Sequence, residues 1–261
     1  MILAKRQLAV VVFSGGQDST TCLYWALNQG FQVIALTINY GQRHWREIDA
    51  ATLIAKRAKV EHEILNVGPI LRGTSPLVSS AELEQYKDHA SLPGGLEKTF
   101  VPMRNQFFLT LAANYAYAQG SNILITGVCQ EDFGGYPDCR RTFIDAFEEA
   151  CNLGTFTGEA ETLPPLQVLT PLMNLTKAQT VEMAEDLQGC YGALAYSHTA
   201  YDGQYPPVGH DHATLLRAKG FEEAGVPDPL VLRAVREGLM PMPEASNYDP
   251  ELVEAYGVSI K

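Results

Sequence analysis

The sequence predicts an α/β fold: a parallel sheet with helices on both faces, followed by an irregular C-terminal lobe. Three observations predict it. Apolar strand-like runs alternate with segments of helical spacing from Leu8 to Val67, in the order β-α-β-α-β. The strand runs are near-continuously apolar, as strands buried on both faces must be. The first of them breaks into Ser14-Gly15-Gly16-Gln17-Asp18-Ser19, a tight loop between a strand and a helix.

Taken in order, Leu8–Phe13 reads as the first strand, and Thr20–Gln29 as a helix that stops at Gly30, a natural C-cap. Phe31–Ile38 is the second strand, Trp45–Lys59 an amphipathic helix and Glu61–Val67 the third strand. Residues 68–98 are rich in Gly, Pro, Ser and charge with weak periodicity, and read as an irregular excursion over the site. Arg104–Gln119 is a long helix, Asn122–Thr126 a strand and Asp138–Leu153 a further helix. Thr176 opens a helix over Lys177–Leu187. Residues 191–214 read as irregular, and Leu215–Ala224 as helical. The expected division is a sheet domain over residues 1–190 and a lobe over 191–261 packed on it.

Composition narrows the function classes. The 261 residues are 46% hydrophobic and 19% charged, the balance of a globular protein with a proper core. A formal charge of −11 argues against a nucleic-acid partner, which needs a basic face. A small anionic substrate remains open, because a local loop can be positive inside a negative protein. No apolar run is long enough to cross a membrane, and Met1-Ile-Leu-Ala-Lys-Arg lacks a signal-peptide layout, so the expectation is cytoplasmic. Cys22, Cys129, Cys139, Cys151 and Cys190 are scattered without a CxxC pair and read as reduced packing thiols.

The glycine-rich loop points to phosphate. A strand, a tight loop and a helix start bring backbone N–H groups and the positive end of a helix dipole to one point. Two glycines let the backbone approach an anion where a Cβ would clash. Ser14 and Ser19 add hydroxyl donors, and Asp18 can cap the helix or help hold a metal-bound phosphate. The Gly-Lys-Ser/Thr ending of a Walker loop is absent, so transfer of a γ-phosphoryl group is not the natural reading. In an open parallel sheet, ligands bind beyond the carboxyl ends of the strands. Segments 14–19, 39–44 and 127–140 all fall at such ends and should converge.

Ser-Gly-Gly-Gln-Asp-Ser resembles the pyrophosphate loop of the N-type ATP pyrophosphatases. With Tyr40-Gly-Gln-Arg43, Glu47-Ile48, Phe100-Val-Pro-Met-Arg-Asn105 and Gly127-Val-Cys-Gln-Glu-Asp-Phe-Gly-Gly-Tyr-Pro-Asp-Cys-Arg140, the chain closely resembles the 7-cyano-7-deazaguanine (preQ0) synthase family. The resemblance continues through Thr170–Lys177 and Leu216–Pro229. It implies an adenine nucleotide alpha hydrolase-like fold, with residues 1–190 as a PP-loop ATP pyrophosphatase domain. It also implies ATP with Mg²⁺, a deazaguanine carboxylate and ammonia as small-molecule partners, and a homodimer.

Roles follow from the same resemblance. Ser14, Gly15, Gly16, Gln17, Asp18 and Ser19 would hold ATP phosphates, and Thr37, Tyr40 and Gly127 would lie by the nucleoside. Lys177, Asp18 and Arg104 would be catalytic, with Lys177 directed at the α-phosphate. Arg104, Asn105, Glu131, Asp132, Tyr136, Asp138 and Arg140 would bind the substrate; acidic side chains match the N–H donors of a deazaguanine. Two alternatives stand beside this: Arg104 and Asn105 as a surface arginine and a helix cap, and Arg140 as a structural partner of an acidic neighbour.

The chain departs from the family at its four zinc cysteines. Their positions carry Ala200, Val208, Asp211 and Thr214, so a tetrahedral thiolate site cannot form. His198, His210, Asp211 and His212 give no fixed set of four ligands and read as a hydrogen-bonded loop; the expectation is no metal here. The tail from Leu230 to Lys261 can brace this region or bind a partner. The leading function is the complete nitrile-forming ligase. An alternative keeps the adenylation and passes the activated carboxylate to another amine, such as a protein N-terminus. A nucleotide-binding module without catalysis and a tRNA-thiolating enzyme fit less well, the latter for want of a cysteine pair and a basic face.

Overall fold

The computed structural model describes residues 6–41, 45–73, 75–79, 82–88, 91, 96–130, 136–159, 162–201 and 203–257. Its centre is a five-stranded sheet in the order β3-β2-β1-β4-β5, with every pairing parallel. The strands are β1 (Leu8–Val12), β2 (Gln32–Asn39), β3 (Glu61–Asn66), β4 (Ile123–Ile125) and β5 (Gln167–Leu169). In register, Val11 lies between Ala35 of β2 and Ile125 of β4.

Alternate residues of β1 feed two cores, because successive side chains of a strand point to opposite faces. Ala9, Val11 and Phe13 pack with α1 (Gln17–Asn28), α2 (Arg46–Ala58) and α5 (Lys177–Asp186). Val10 packs on the other face with Leu36, Leu124, α3 (Arg104–Ala118) and α4 (Arg141–Gly154). The expected parallel architecture is therefore present, and so are the expected elements from β1 to α3, with ends shifted by a few residues.

Four details differ from expectation. The helix expected over Asp138–Leu153 is a short 3-10 turn, Pro137–Cys139, and then α4. Arg140 separates them in extended conformation, φ −82° and ψ 151°. The fifth strand spans only three residues, too short to leave a periodicity. Within the segment expected to be irregular lies α6 (Cys190–Leu194). Finally, α7 (His212–Glu223) starts three residues earlier than Leu215, because Asp211 caps it by accepting the Thr214 N–H at 3.1 Å. The tail adds α8 (Pro229–Arg236) and α9 (Pro250–Ala255), each opened by an aspartate followed by proline.

The C-terminal segments share the first core. Val181 and Ala184 of α5 pack in one cluster with Cys190 and Leu194 of α6 and Phe221 of α7. A buried ion pair ties them together: Arg217 of α7 donates to both carboxylate oxygens of Asp228, at 2.6 and 2.8 Å. The same guanidinium donates to Ser197 Oγ at 2.8 Å and Thr199 Oγ1 at 2.9 Å. Asp228 also caps α8 through the Leu230 N–H. Breaking such a pair from one side leaves a buried charge without compensation. Asp228→Ala is expected to lower stability by about 3–5 kcal/mol, measured as a shift in the urea unfolding midpoint.

Candidate active site

The loop after β1 is built by its glycines. Gly15 has φ +79°, and a Cβ there would lie 2.5 Å from the Ala51 backbone nitrogen of α2. Only glycine fits both the left-handed turn and the close approach. Ser19 Oγ accepts the Ser14 N–H at 3.2 Å, and the Ser14 and Ser19 hydroxyls lie 3.1 Å apart. Gly16, at the N-cap of α1, offers no side chain to satisfy the first N–H groups of the helix. That end of α1 is therefore open to an anion. Gly127, just beyond β4, lets that strand end come close: a Cβ there would meet the Asp18 carbonyl carbon at 3.1 Å.

Two cavities flank this loop, of about 320 and 280 Å³. Both are lined by Ser14, Asp18, Ser19, Arg104, Gly127 and Val128. The smaller extends along the ends of β1 and β2 to Thr37, Tyr40, Glu47 and Phe108. The larger extends to Gln17, Tyr136, Lys177, His198, Tyr201 and His212. The three strand-end segments thus converge.

Lys177 is the first residue of α5, fixed by a capping box in which Thr176 and Gln179 exchange hydrogen bonds. Its Nζ donates to Asp18 Oδ2 at 2.6 Å, across 159 positions of sequence. Among the described residues, buried Asp18 Oδ1 has no hydrogen-bond partner. Gly220 of α7 allows the approach that seats Lys177: a Cβ there would lie 2.9 Å from the Lys177 Cβ.

Arg104 opens α3 behind Met103, which takes the left-handed φ of 67°. Burial opposes its charge, but Tyr40, Tyr201, Tyr136 and Asp138 outweigh that and hold it protonated. Burial likewise pushes the Asp138 carboxyl up, against donation from Asn105 and the charge of Arg104. Tyr136 meets Thr99 Oγ1 at 2.6 Å and stacks at a tilt on Phe100, with ring centroids 5.3 Å apart.

Not every expected site residue reaches a cavity. Thr37 lines the smaller one, but its hydroxyl donates to the Phe13 carbonyl at 2.7 Å and meets His62 Nε2 at 2.8 Å. Asn105 lines neither cavity; its Nδ2 donates to the Asp138 carbonyl at 3.2 Å. Gly15 supports the loop from behind. Arg140 is exposed at the start of α4 and lines neither cavity. Glu131 and Asp132 lie outside the described residues. Glu47, His198, Tyr201 and His212 line the cavities without having been singled out as binding residues. Among the four positions of the family's zinc cysteines, Ala200 is buried and Val208 exposed, while Asp211 receives both the N–H and the hydroxyl of Thr214. Among the described residues no group of three or more His, Cys, Asp or Glu forms a metal site.

The family description "Queuosine biosynthesis protein QueC" matches residues 8–225. The chain belongs to the QueC family. A 7-cyano-7-deazaguanine synthase of Gloeobacter violaceus is 48% identical over 225 residues, covering 85% of this chain and 94% of its own. Another, of Chromobacterium violaceum, is 46% identical over 239 residues, covering 90% of this chain and 97% of its own. The family match ends before α8 and α9, and within it lie all the residues lining the two cavities. Among the described residues no helix is long and apolar enough to cross a membrane.

Glu47 gives a test of the electrostatics. Burial raises its carboxyl from an ordinary value of 4.5 to about 7, with Arg104 pulling the other way. The folded protein therefore holds this proton to higher pH than the unfolded chain does. The resulting stability is complete below the unfolded value and is lost as pH rises through about 7. Glu47→Gln should accordingly gain on the wild type by on the order of 1–3 kcal/mol between acid and mildly alkaline pH. Urea midpoints of both proteins across that range measure it, and a constant difference would contradict the assignment.

Proposed function

We propose that this QueC-family chain is an ATP-dependent ligase that converts 7-carboxy-7-deazaguanine and ammonia to 7-cyano-7-deazaguanine, releasing AMP and pyrophosphate. The observation that carries the reading is the Asp18–Lys177 pair beside an uncapped helix start, set between two cavities that share one phosphate loop. One cavity can take the nucleoside, at the ends of β1 and β2 by Thr37 and Tyr40. The other, lined by Arg104, Tyr136 and Tyr201, can take the substrate.

The chemistry follows from what a carboxylate lacks. It is a poor electrophile, and transfer of AMP to its oxygen supplies a leaving group. The carboxylate oxygen attacks the α-phosphorus and the bond to pyrophosphate breaks. Lys177 bears on the charge gathering at the α-phosphate, while Ser14, Ser19 and the first N–H groups of α1 receive the departing pyrophosphate. Arg104, held protonated, binds the anionic substrate. Ammonia then displaces AMP to form the amide, and a second adenylation of the amide oxygen followed by loss of AMP yields the nitrile.

Asp18 Oδ1, buried and unpartnered beside this loop, is a hard oxygen that fits Mg²⁺. When bound, the ion would offset the charge of the pyrophosphate.

Mass spectrometry of products formed from 7-carboxy-7-deazaguanine, ATP, Mg²⁺ and ammonium tests the reading. Nitrile with AMP and pyrophosphate is the expected result. Amide without nitrile would instead favour transfer to another amine, such as a protein N-terminus, and no AMP would overturn both. Lys177→Met is expected to lower substrate-dependent ATP–pyrophosphate exchange by about 10²–10³-fold.

A further inference from the structure

Beside the substrate cavity lies a much smaller one, with room of about 10 Å³, the space of a single water-sized molecule. Tyr201 and His212 are common to both cavities. At its other end the small cavity reaches Glu84 and Lys98, an exposed ion pair at the protein surface. It therefore lies between a surface ion pair and the cavity assigned to the substrate.

Its inner wall holds two polar atoms that no hydrogen bond among the described residues satisfies. Glu97 and His212 are only 4% and 6% exposed. Glu97 Oε1 and His212 Nε2 are both buried and, among the described residues, have no hydrogen-bond partner. They face each other at 3.7 Å, too far for a direct hydrogen bond. The second Glu97 oxygen lies 3.3 Å from the Tyr86 hydroxyl, whose closer acceptor is Glu84 Oε2 at 2.9 Å. Polar atoms left without a hydrogen bond at this depth call for a small group that bridges them from the side.

We infer that this cavity binds the ammonium consumed by the proposed reaction, an inference that rests on that reading. The size admits one heavy atom. The charge selects a cation over water, because Glu97 is a carboxylate with one oxygen unmatched. The other charged groups nearby are engaged: Arg217 by Asp228, Lys177 by Asp18, Asp211 by Thr214 and Arg104 by Tyr40. Ammonium offset from the line between the two atoms donates one N–H to Glu97 Oε1 and another to His212 Nε2. As one proton passes to His212, the freed nitrogen lone pair forms the C–N bond at the adenylated carbonyl carbon. The C–O bond to AMP breaks, and AMP leaves with that electron pair. The second proton shed by the new C–N nitrogen passes to the Glu97 carboxylate, leaving a neutral amide.

The test compares the KM for ammonium chloride with 7-carboxy-7-deazaguanine-dependent ATP–pyrophosphate exchange. Glu97→Gln keeps the shape and removes the charge. It is expected to raise the ammonium KM about tenfold or more, with a much smaller effect on exchange. An unchanged KM with exchange present would overturn the ammonium site alone, leaving a water in the cavity. Absence of exchange in the wild type would overturn the adenylation reading and this inference with it. The wild type supplies a second readout that needs no variant. A cavity of this size should discriminate against methylamine by about 10–200-fold at equal free base, and equal use of the two amines would overturn the assignment.

Discussion

The site depends on one steric constraint: the backbone after β1 must pass flush against two neighbours. A Cβ at Gly15 would lie 2.5 Å from the Ala51 nitrogen, and one at Gly127 would lie 3.1 Å from the Asp18 carbonyl carbon. These contacts press the loop between α2 on one side and the end of β4 on the other. Because the loop is held there, α1 starts at the mouth of the cavity with its first N–H groups uncapped. A looser turn would bury those groups or leave them in bulk water, and neither arrangement makes an anion site.

The loop would still be only half a site without the C-terminal third of the chain. The His198 N–H donates to the Gly15 carbonyl at 3.0 Å, fastening the segment after α6 directly to the phosphate loop. Lys177 reaches Asp18 from α5, and α7 holds α5 close through Gly220. The Arg217–Asp228 pair then secures α7 to α8. Each tie joins residues far apart in sequence, so the substrate cavity is a product of tertiary packing more than of any local motif. The same packing reconciles a formal charge of −11 with the anionic substrate proposed above. Arg104 and the α1 N-terminus bring positive charge beside the loop, and Lys177 is held there by Asp18, whatever the rest of the surface carries.

What was legible in the sequence was whatever has a local cause. Leu8–Val12 is apolar at every position because the sheet buries it on both faces, and that pattern is visible by eye. The glycine-rich loop announces its own geometry, and the resemblance directed Lys177 toward that loop, where it meets Asp18. β5 was not legible: three residues carry too little periodicity, and they are strand only because β4 lies beside them. Arg140 read either as a binding group or as a partner of an acidic neighbour. It takes the N-cap position of α4 without a side-chain capping bond and faces solvent, while Glu131 and Asp132 lie outside the described residues. Glu47 has the residue type of an ordinary charge on an exposed helix. Only the packing of α2 against the cavity wall, beside Arg104, makes its carboxyl unusual.

The segment from residue 198 to 217 shows why local sequence and local role separate. Where the family pattern carries cysteines, Asp211 and Thr214 bond to each other and start a helix, and Ala200 fills an apolar position. The segment is then held by hydrogen bonds and the buried Arg217–Asp228 pair, which are directional enough to fix a backbone path. That fixed path places His198 on Gly15 and His212 on the wall of the substrate cavity. Replacing one kind of tie by another leaves the phosphate loop untouched, because the loop needs only that the segment be held in position. It also frees the positions between the former ligands to carry other chemistry, and His212, buried opposite Glu97, occupies one of them.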